Sequence, residues 1–295
     1  MRLILHECIC LFSRELIAKK LAEFHSIPLD TATVPSFVNK LKSFIDLFTK
    51  KNPALNDRLK ELKESSANNN NTGLFTSFAS AIGFGTAPPV QLTIDKLGSQ
   101  LKDTSWAELS TEIDFIRTIF DNNWSKHNLP VVLCLNNINI YNFIYDSKNK
   151  IMSIIDFDHC SSNYFLIDLV SYFLELAKQD PENKYPPRQV QKLILAEYLK
   201  NSSHNLSPLI FDPLKPTDIE LERLCDLCGL LIAPVHLYWA LWAFLQALLA
   251  KPTPTFDYIN YGKTRLAQYQ KHKQNFFLPL YQTPKKPSQP SVAHF

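Results

Sequence analysis

The sequence predicts a mostly helical α+β domain with one small β-hairpin set into its middle. Three observations point there. Apolar residues recur at helical spacing through most of the first third; after Pro130 the pattern shortens into apolar runs bounded by turn residues; beyond Tyr164 helical spacing resumes. With 295 residues, 45% of them apolar and 12% aromatic, the chain can bury a sizeable core and is too hydrophobic to be wholly disordered.

Taken in order, Arg14 to Ile27 reads as an amphipathic helix. Leu16, Ile17, Leu21, Phe24 and Ile27 form its apolar stripe, and Lys19, Lys20 and Glu23 its wet face. A second helix covers Ser36 to Phe48 and a third Leu55 to Glu64. The polar run at 65–73 cannot pack, so a flexible loop is expected over 65–92. Trp106 to Trp124 is helical, with Leu109, Ile113, Ile116, Ile119 and Phe120 inward. Val131 to Cys134 has the look of a fully buried strand. Phe143 to Tyr145 and Ile151 to Phe157 are the arms of a hairpin whose turn is Asp146 to Lys150. Helices follow at Ile167–Ala177, Val190–Leu199, Asp218–Ala250 with a break expected near Pro234, and Phe256–Lys273. Four prolines from Pro279 onward predict a disordered tail over 279–295.

Composition excludes several functions. A net charge of +3 argues against a protein that binds nucleic acid by neutralising phosphates. Six glycines are about 2% of the chain, against roughly 7% usually. The Gly83-Phe84-Gly85 pair precedes Pro88 and Pro89, which have no N–H to offer, and it fails as a phosphate-cradling loop. The first residues lack the pattern of a secretory leader, so the six cysteines are expected as reduced thiols in a cytoplasmic protein. Cys225 and Cys228 have zinc-ligand spacing, but no second pair follows at a usable interval, and packed thiols are expected. Leu227 to Ala250 carries no charged residue and is long enough to span a bilayer. Pro234, His236, Gln246 and the aromatic face of Tyr238, Trp239 and Trp242 favour a buried helix without stable membrane insertion; a membrane anchor over 227–250 is the rival.

Chemistry concentrates between Val131 and Asp158. Asn142 and Asp156 flank the hairpin, and folding it brings them together. An amide oxygen and a carboxylate converging at strand ends suit Mg²⁺, which takes oxygen ligands and retains waters. By spacing alone the plainer reading is favoured, in which Asn142 caps the loop and Asp156 is an exposed strand end.

This segment resembles the choline and ethanolamine kinases, relatives of the protein-kinase fold. In that family a strand leads into His-Asn-Asp, an Asn follows five positions after the Asp, and a hairpin leads to Ile-Asp-Phe/Tyr-Glu. Here Leu135-Asn136-Asn137 stands at the first motif, Asn142 is the following Asn, and Ile155-Asp156-Phe157-Asp158 fills the second. Asn163-Tyr164, the run from Asp168 to Glu175, the run from His236 to Gln246, and Phe256 to Arg265 are similar to further family segments. The likeness therefore extends over about residues 14–273.

The resemblance implies a protein-kinase-like fold, use of ATP and Mg²⁺ with Asn142 and Asp156 as metal ligands, and a small amino alcohol as substrate. It implies that Asp158, Glu175, Trp239, Trp242 and Tyr261 bind that substrate, the aromatic faces receiving its cationic head. A homodimer, or a heterodimer with a related kinase, is also implied as an option. The sequences at Tyr238 to Ala243 and Phe173 to Ala177 look closer to the ethanolamine branch. The family reaction is ATP-dependent phosphorylation of ethanolamine or choline, the first step of the route to phosphatidylethanolamine.

Two departures stand out. Only residues 1–13, a short start unlike the family, precede the segment at 14–278 that reads as its C-terminal lobe, so the ATP-covering N-terminal lobe is expected to be missing. Asn137 occupies the position of the family's base and cannot take a proton; loss of a general base costs on the order of 10²–10⁴ in rate. Impaired catalysis is the expectation, with a pseudokinase or truncated isoform that binds an amino alcohol or an active relative as the alternative.

Overall fold

The computed structural model describes residues 3–4, 11–30, 33–49, 106–121, 129–179, 184–204, 209–249 and 256–281. The expected helix at Leu55–Glu64, the loop at 65–92 with its glycine pair, and the tail beyond 281 lie outside the described residues.

Seven helices and five short strands occur among them. In chain order they are β1 (Leu3–Ile4), α1 (Leu11–His25), α2 (Phe37–Thr49), α3 (Trp106–Ile119), β2 (Val131–Cys134), β3 (Phe143–Asp146), β4 (Ile151–Ile154) and β5 (Ser161–Tyr164). Then come α4 (Leu166–Gln179), α5 (Arg188–Asn201), α6 (Asp218–Leu249) and α7 (Tyr258–Tyr281). The mostly helical α+β class is as the sequence predicts. β3 and β4 form the expected hairpin, with Phe143 opposite Ile154 and Asp146 opposite Ile151. β1 adds antiparallel to β3, and β2 pairs separately with β5.

One continuous core runs through the helices. Ile17 and Leu21 of α1, Leu41 and Ile45 of α2, Ile113 and Ile116 of α3, and Phe165, Leu169 and Phe173 around α4 are fully or almost fully buried. Leu195 and Tyr198 bring in α5, and Leu231 and Leu241 bring in α6. α6 is the axis of this arrangement: α2, α4, α5 and α7 all lie against it. It is long and apolar enough to cross a membrane, yet 83% of its most apolar stretch is buried inside the fold. Its apolar surface is thus covered by protein, as a core helix requires. Cys225 and Cys228 are buried free thiols on it. α7 approaches α6 closely because Gly262 has no side chain; a Cβ there would overlap the Phe244 ring.

The structure corrects several local expectations. α6 is continuous through Pro234 rather than broken. The proline removes one backbone donor, but α6 packs on four neighbouring helices and stays helical past it. α7 passes Pro279 and ends at Tyr281, since a proline in the last turn forfeits a single bond near an end that frays anyway. β2 is not buried on both faces: Val132 and Cys134 point inward while Val131 and Leu133 are half-covered, the alternation of a strand with one packed side. β4 stops at Ile154 instead of reaching Phe157, because Asp156 adopts a left-handed backbone (φ 67°) that no strand can continue.

Candidate functional site

The site begins where β2 ends. Leu135 and Asn136 donate their backbone N–H groups to the Asp168 carboxylate at 2.6 and 2.8 Å. Asp168, in the first turn of α4, also meets His25 Nε2 at 3.0 Å, and His25 Nδ1 lies 2.8 Å from the Tyr198 hydroxyl. A carboxylate only accepts, so Nε2 carries the hydrogen and donates it to Asp168, while Nδ1 and the Tyr198 hydroxyl share the second bond. His25 and Asp168 are wholly buried. With Cys134 they form the group of potential metal ligands found among the described residues. Both Asp168 oxygens already accept hydrogen bonds, so this cluster acts as a brace for the loop.

Asn136 fixes the next step. Its backbone is left-handed (φ 56°), and its side-chain amide donates toward the carbonyls of Cys134 (3.2 Å) and His159 (2.9 Å) and the hydroxyl of Ser161 (2.9 Å). Its oxygen accepts from Asn163. One neutral side chain thereby ties the loop after β2 to the chain entering β5.

Asn137 follows, then a single helical turn at Ile140–Asn142. The Asn142 carbonyl accepts from Ile155 N–H at 2.9 Å, which closes the hairpin base. Asn142 and Asn137 each aim an amide at Asp156 Oδ2, at 3.4 and 3.3 Å, and Asn142 also donates to the Asn137 carbonyl at 3.3 Å. Asp156 is exposed. Its other oxygen and the two amide oxygens make no hydrogen bond with another described residue. Both amides turn an N–H toward the carboxylate here; with the amides turned over, their oxygens and the carboxylate would give the all-oxygen donor set that Mg²⁺ takes.

Beyond Asn137 opens a cleft of about 240 Å³. Trp239 and Trp242, one turn apart on α6, form its wall with ring centroids 5.1 Å apart, nearly perpendicular. The close approach at Gly262 brings Tyr261 of α7 to the same cleft, and Arg265 sits 5.0 Å from the Tyr261 ring. The Arg265 guanidinium also meets His236 Nδ1 at 3.2 Å. Burial, with Arg265 beside it, pushes the His236 pKa down to about 3, so that ring accepts in its neutral form. Glu175 of α4 reaches the cleft with only 5% of its surface exposed and pairs with Lys178 at 2.5 Å.

Of the residues singled out in the sequence, Asn137, Glu175, Trp239, Trp242 and Tyr261 all line this cleft. Asn142 and Asp156 join it through Asn137. Asp158 does not line it; the side chain is exposed and acts on its neighbour His159 by charge alone. Sequence reasoning missed His159 and Lys178 as lining residues, and it missed the bracing role of His25 and Asp168. Partners 143 positions apart leave no local signal, whereas His159 adjoins a motif already recognised and was within reach.

A sequence description of the choline/ethanolamine kinase family matches residues 11–270. The chain belongs to the choline/ethanolamine kinase family. Within it, similarity leans to the ethanolamine kinases. The chain is 32% identical over 150 residues to a probable ethanolamine kinase A of Dictyostelium discoideum, which covers 50% of this chain and 40% of that protein. It is 31% identical over 157 residues to ethanolamine kinase 2 of Rattus norvegicus, covering 51% and 38%. The chain thus aligns with about two fifths of these relatives' length. The fold is similar to that of an ethanolamine kinase of Plasmodium vivax, with a TM-score of 0.59 at 18% identity, covering 90% of this chain and 62% of the other.

Proposed function

We propose that this chain binds a small amino alcohol of the ethanolamine class beside the Mg²⁺-bound phosphates of ATP, and that it transfers phosphate poorly. One observation carries this reading. Asn137 lines the aromatic cleft and is hydrogen-bonded to Asp156, so the cation-receiving wall and the oxygen donors meet at the position where the family has its base.

Each residue then has a task. Trp239, Trp242 and Tyr261 offer π-faces to an ammonium, an attraction of roughly 0.5–2 kcal/mol, more when water is excluded. Glu175 complements the charge from the side of α4. Asn142 and Asp156 would hold Mg²⁺, which when bound neutralises phosphate charge. Asn137 can orient a substrate hydroxyl by hydrogen bonding but cannot remove its proton, and that is the step that suffers. The alternative role of a pseudokinase that holds an amino alcohol or an active relative draws on this same substitution.

The test is product formation by the purified chain with ATP, Mg²⁺ and ethanolamine or choline, beside an Asn137→Asp variant. The unaltered chain should bind ethanolamine yet give little product, and the variant should raise the rate by a factor on the order of 10² or more. Robust turnover by the unaltered chain overturns the impaired-catalysis reading. Binding without turnover in both proteins leaves ligand binding as the function.

A further inference from the structure

We infer that His159 is a specificity-determining residue of the cleft, accepting a hydrogen bond from a primary ammonium and thereby favouring it over a quaternary one. The inference rests on the amino-alcohol reading above and names which amino alcohols the site prefers.

The ring sits in the aromatic wall itself. Its centroid is 5.5 Å from that of Trp239 and 5.9 Å from that of Trp242, and it lines the cleft with both of them. Its backbone is pinned, because the His159 carbonyl accepts from Asn136 Nδ2 at 2.9 Å and from Lys40 Nζ at 3.2 Å. Its ring nitrogens make no hydrogen bond with any other described residue. The half-buried ring is held in place on the cleft wall with its nitrogens uncommitted to protein groups, so a ligand entering the cleft can use them.

The chemistry of the two ammonium classes differs at this point. A quaternary head presents only methyl groups and is satisfied by π-faces. A primary ammonium presents three N–H donors, and each one left unpaired in a desolvated cleft is costly. Glu175 supplies one acceptor but is already engaged by Lys178. The imidazole supplies another within the wall. Burial first, and Lys40 second, lower the His159 pKa, while Asp156 and Asp158 oppose them; the net effect favours the neutral ring, which has a lone pair to offer. A third purely aromatic face at this position would serve a quaternary head better than the imidazole.

Calorimetric titration of the full chain with ethanolamine and with choline tests this. The unaltered chain should bind ethanolamine more tightly. His159→Phe should weaken ethanolamine about tenfold and leave choline unchanged or tighter, while His159→Gln, which keeps an acceptor, should retain most of the preference. A ratio of the two dissociation constants unaffected by His159→Phe overturns the inference and leaves the amino-alcohol reading intact. Failure of the unaltered chain to bind either compound overturns both. A measurement independent of any variant is the ¹⁵N spectrum of the histidine rings. The acceptor nitrogen of His159 should shift on adding ethanolamine and not on adding choline, and equal responses to both count against the inference.

Discussion

The two ends of the site are built from opposite materials. At the hairpin end Asn137, Asn142 and Asp156 form a polar cluster whose carboxylate is exposed, joined by bonds of 3.3–3.4 Å. At the α6 end Trp239, Trp242 and Tyr261 form an apolar wall on tightly packed helices, with Glu175 nearly buried beside it. The wall is held by the core and the cluster by loop hydrogen bonds. A change in the loop, such as Asn in place of the family's base, can therefore alter chemistry without disturbing the wall. On the proposed function, ligand binding and phosphate transfer therefore rest on differently built parts of the site.

That separation can be tested by strong and weak perturbation. The largest effect should come from Asp168→Ala, which leaves two backbone N–H groups and His25 Nε2 unpaired in the interior. Removing one partner of a buried, charged network costs about 3–5 kcal/mol, and urea unfolding should register it. If stability were unchanged, the loop would not depend on the brace. Trp242→Leu comes next. It keeps an apolar, though smaller, side chain at a partly exposed position and removes a π-face, so amino-alcohol affinity should fall about tenfold with a smaller change in unfolding midpoint than Asp168→Ala gives. Loss of stability and affinity together would show that the wall is core rather than a binding surface.

The smallest effect at neutral pH concerns His236, held neutral with its pKa near 3 against 6.5 in the unfolded chain. The unfolded state takes up the proton first as pH falls. Stability contributed by this group is therefore complete above about pH 6.5 and declines toward pH 3, by at most about 1.4 kcal/mol per pH unit. His236→Gln should flatten that decline in pH-dependent melting, and an unaltered slope would place the titration on other histidines.

Much of the fold was legible in the sequence, for identifiable reasons. Leu16, Ile17, Leu21 and Phe24 repeat at helical spacing because α1 has one face in the core, and the hairpin announced itself through the polar turn from Asp146 to Lys150. β5 was not legible, because Ser161, Ser162 and Asn163 are too polar to read as a strand. Its register against β2 is held by backbone bonds, while Asn163 accepts from Phe37 N–H at the start of α2 at 2.9 Å. The aromatic wall was visible as two indoles a turn apart. What surrounds it was not, since His159, Lys178 and the Asp168 brace reach the site through tertiary contacts.

Asn136 and Asp156 hold backbone angles that glycine would adopt more readily, at a cost on the order of 1 kcal/mol each. Asn and Asp visit this region more readily than other side chains, but local preference alone does not fix them there. Both are imposed from outside, by Asp168, Asn163 and the base of the hairpin. The corner is consequently not portable: cut out as a peptide or spliced into another protein, the same stretch of chain would relax and the oxygens would scatter.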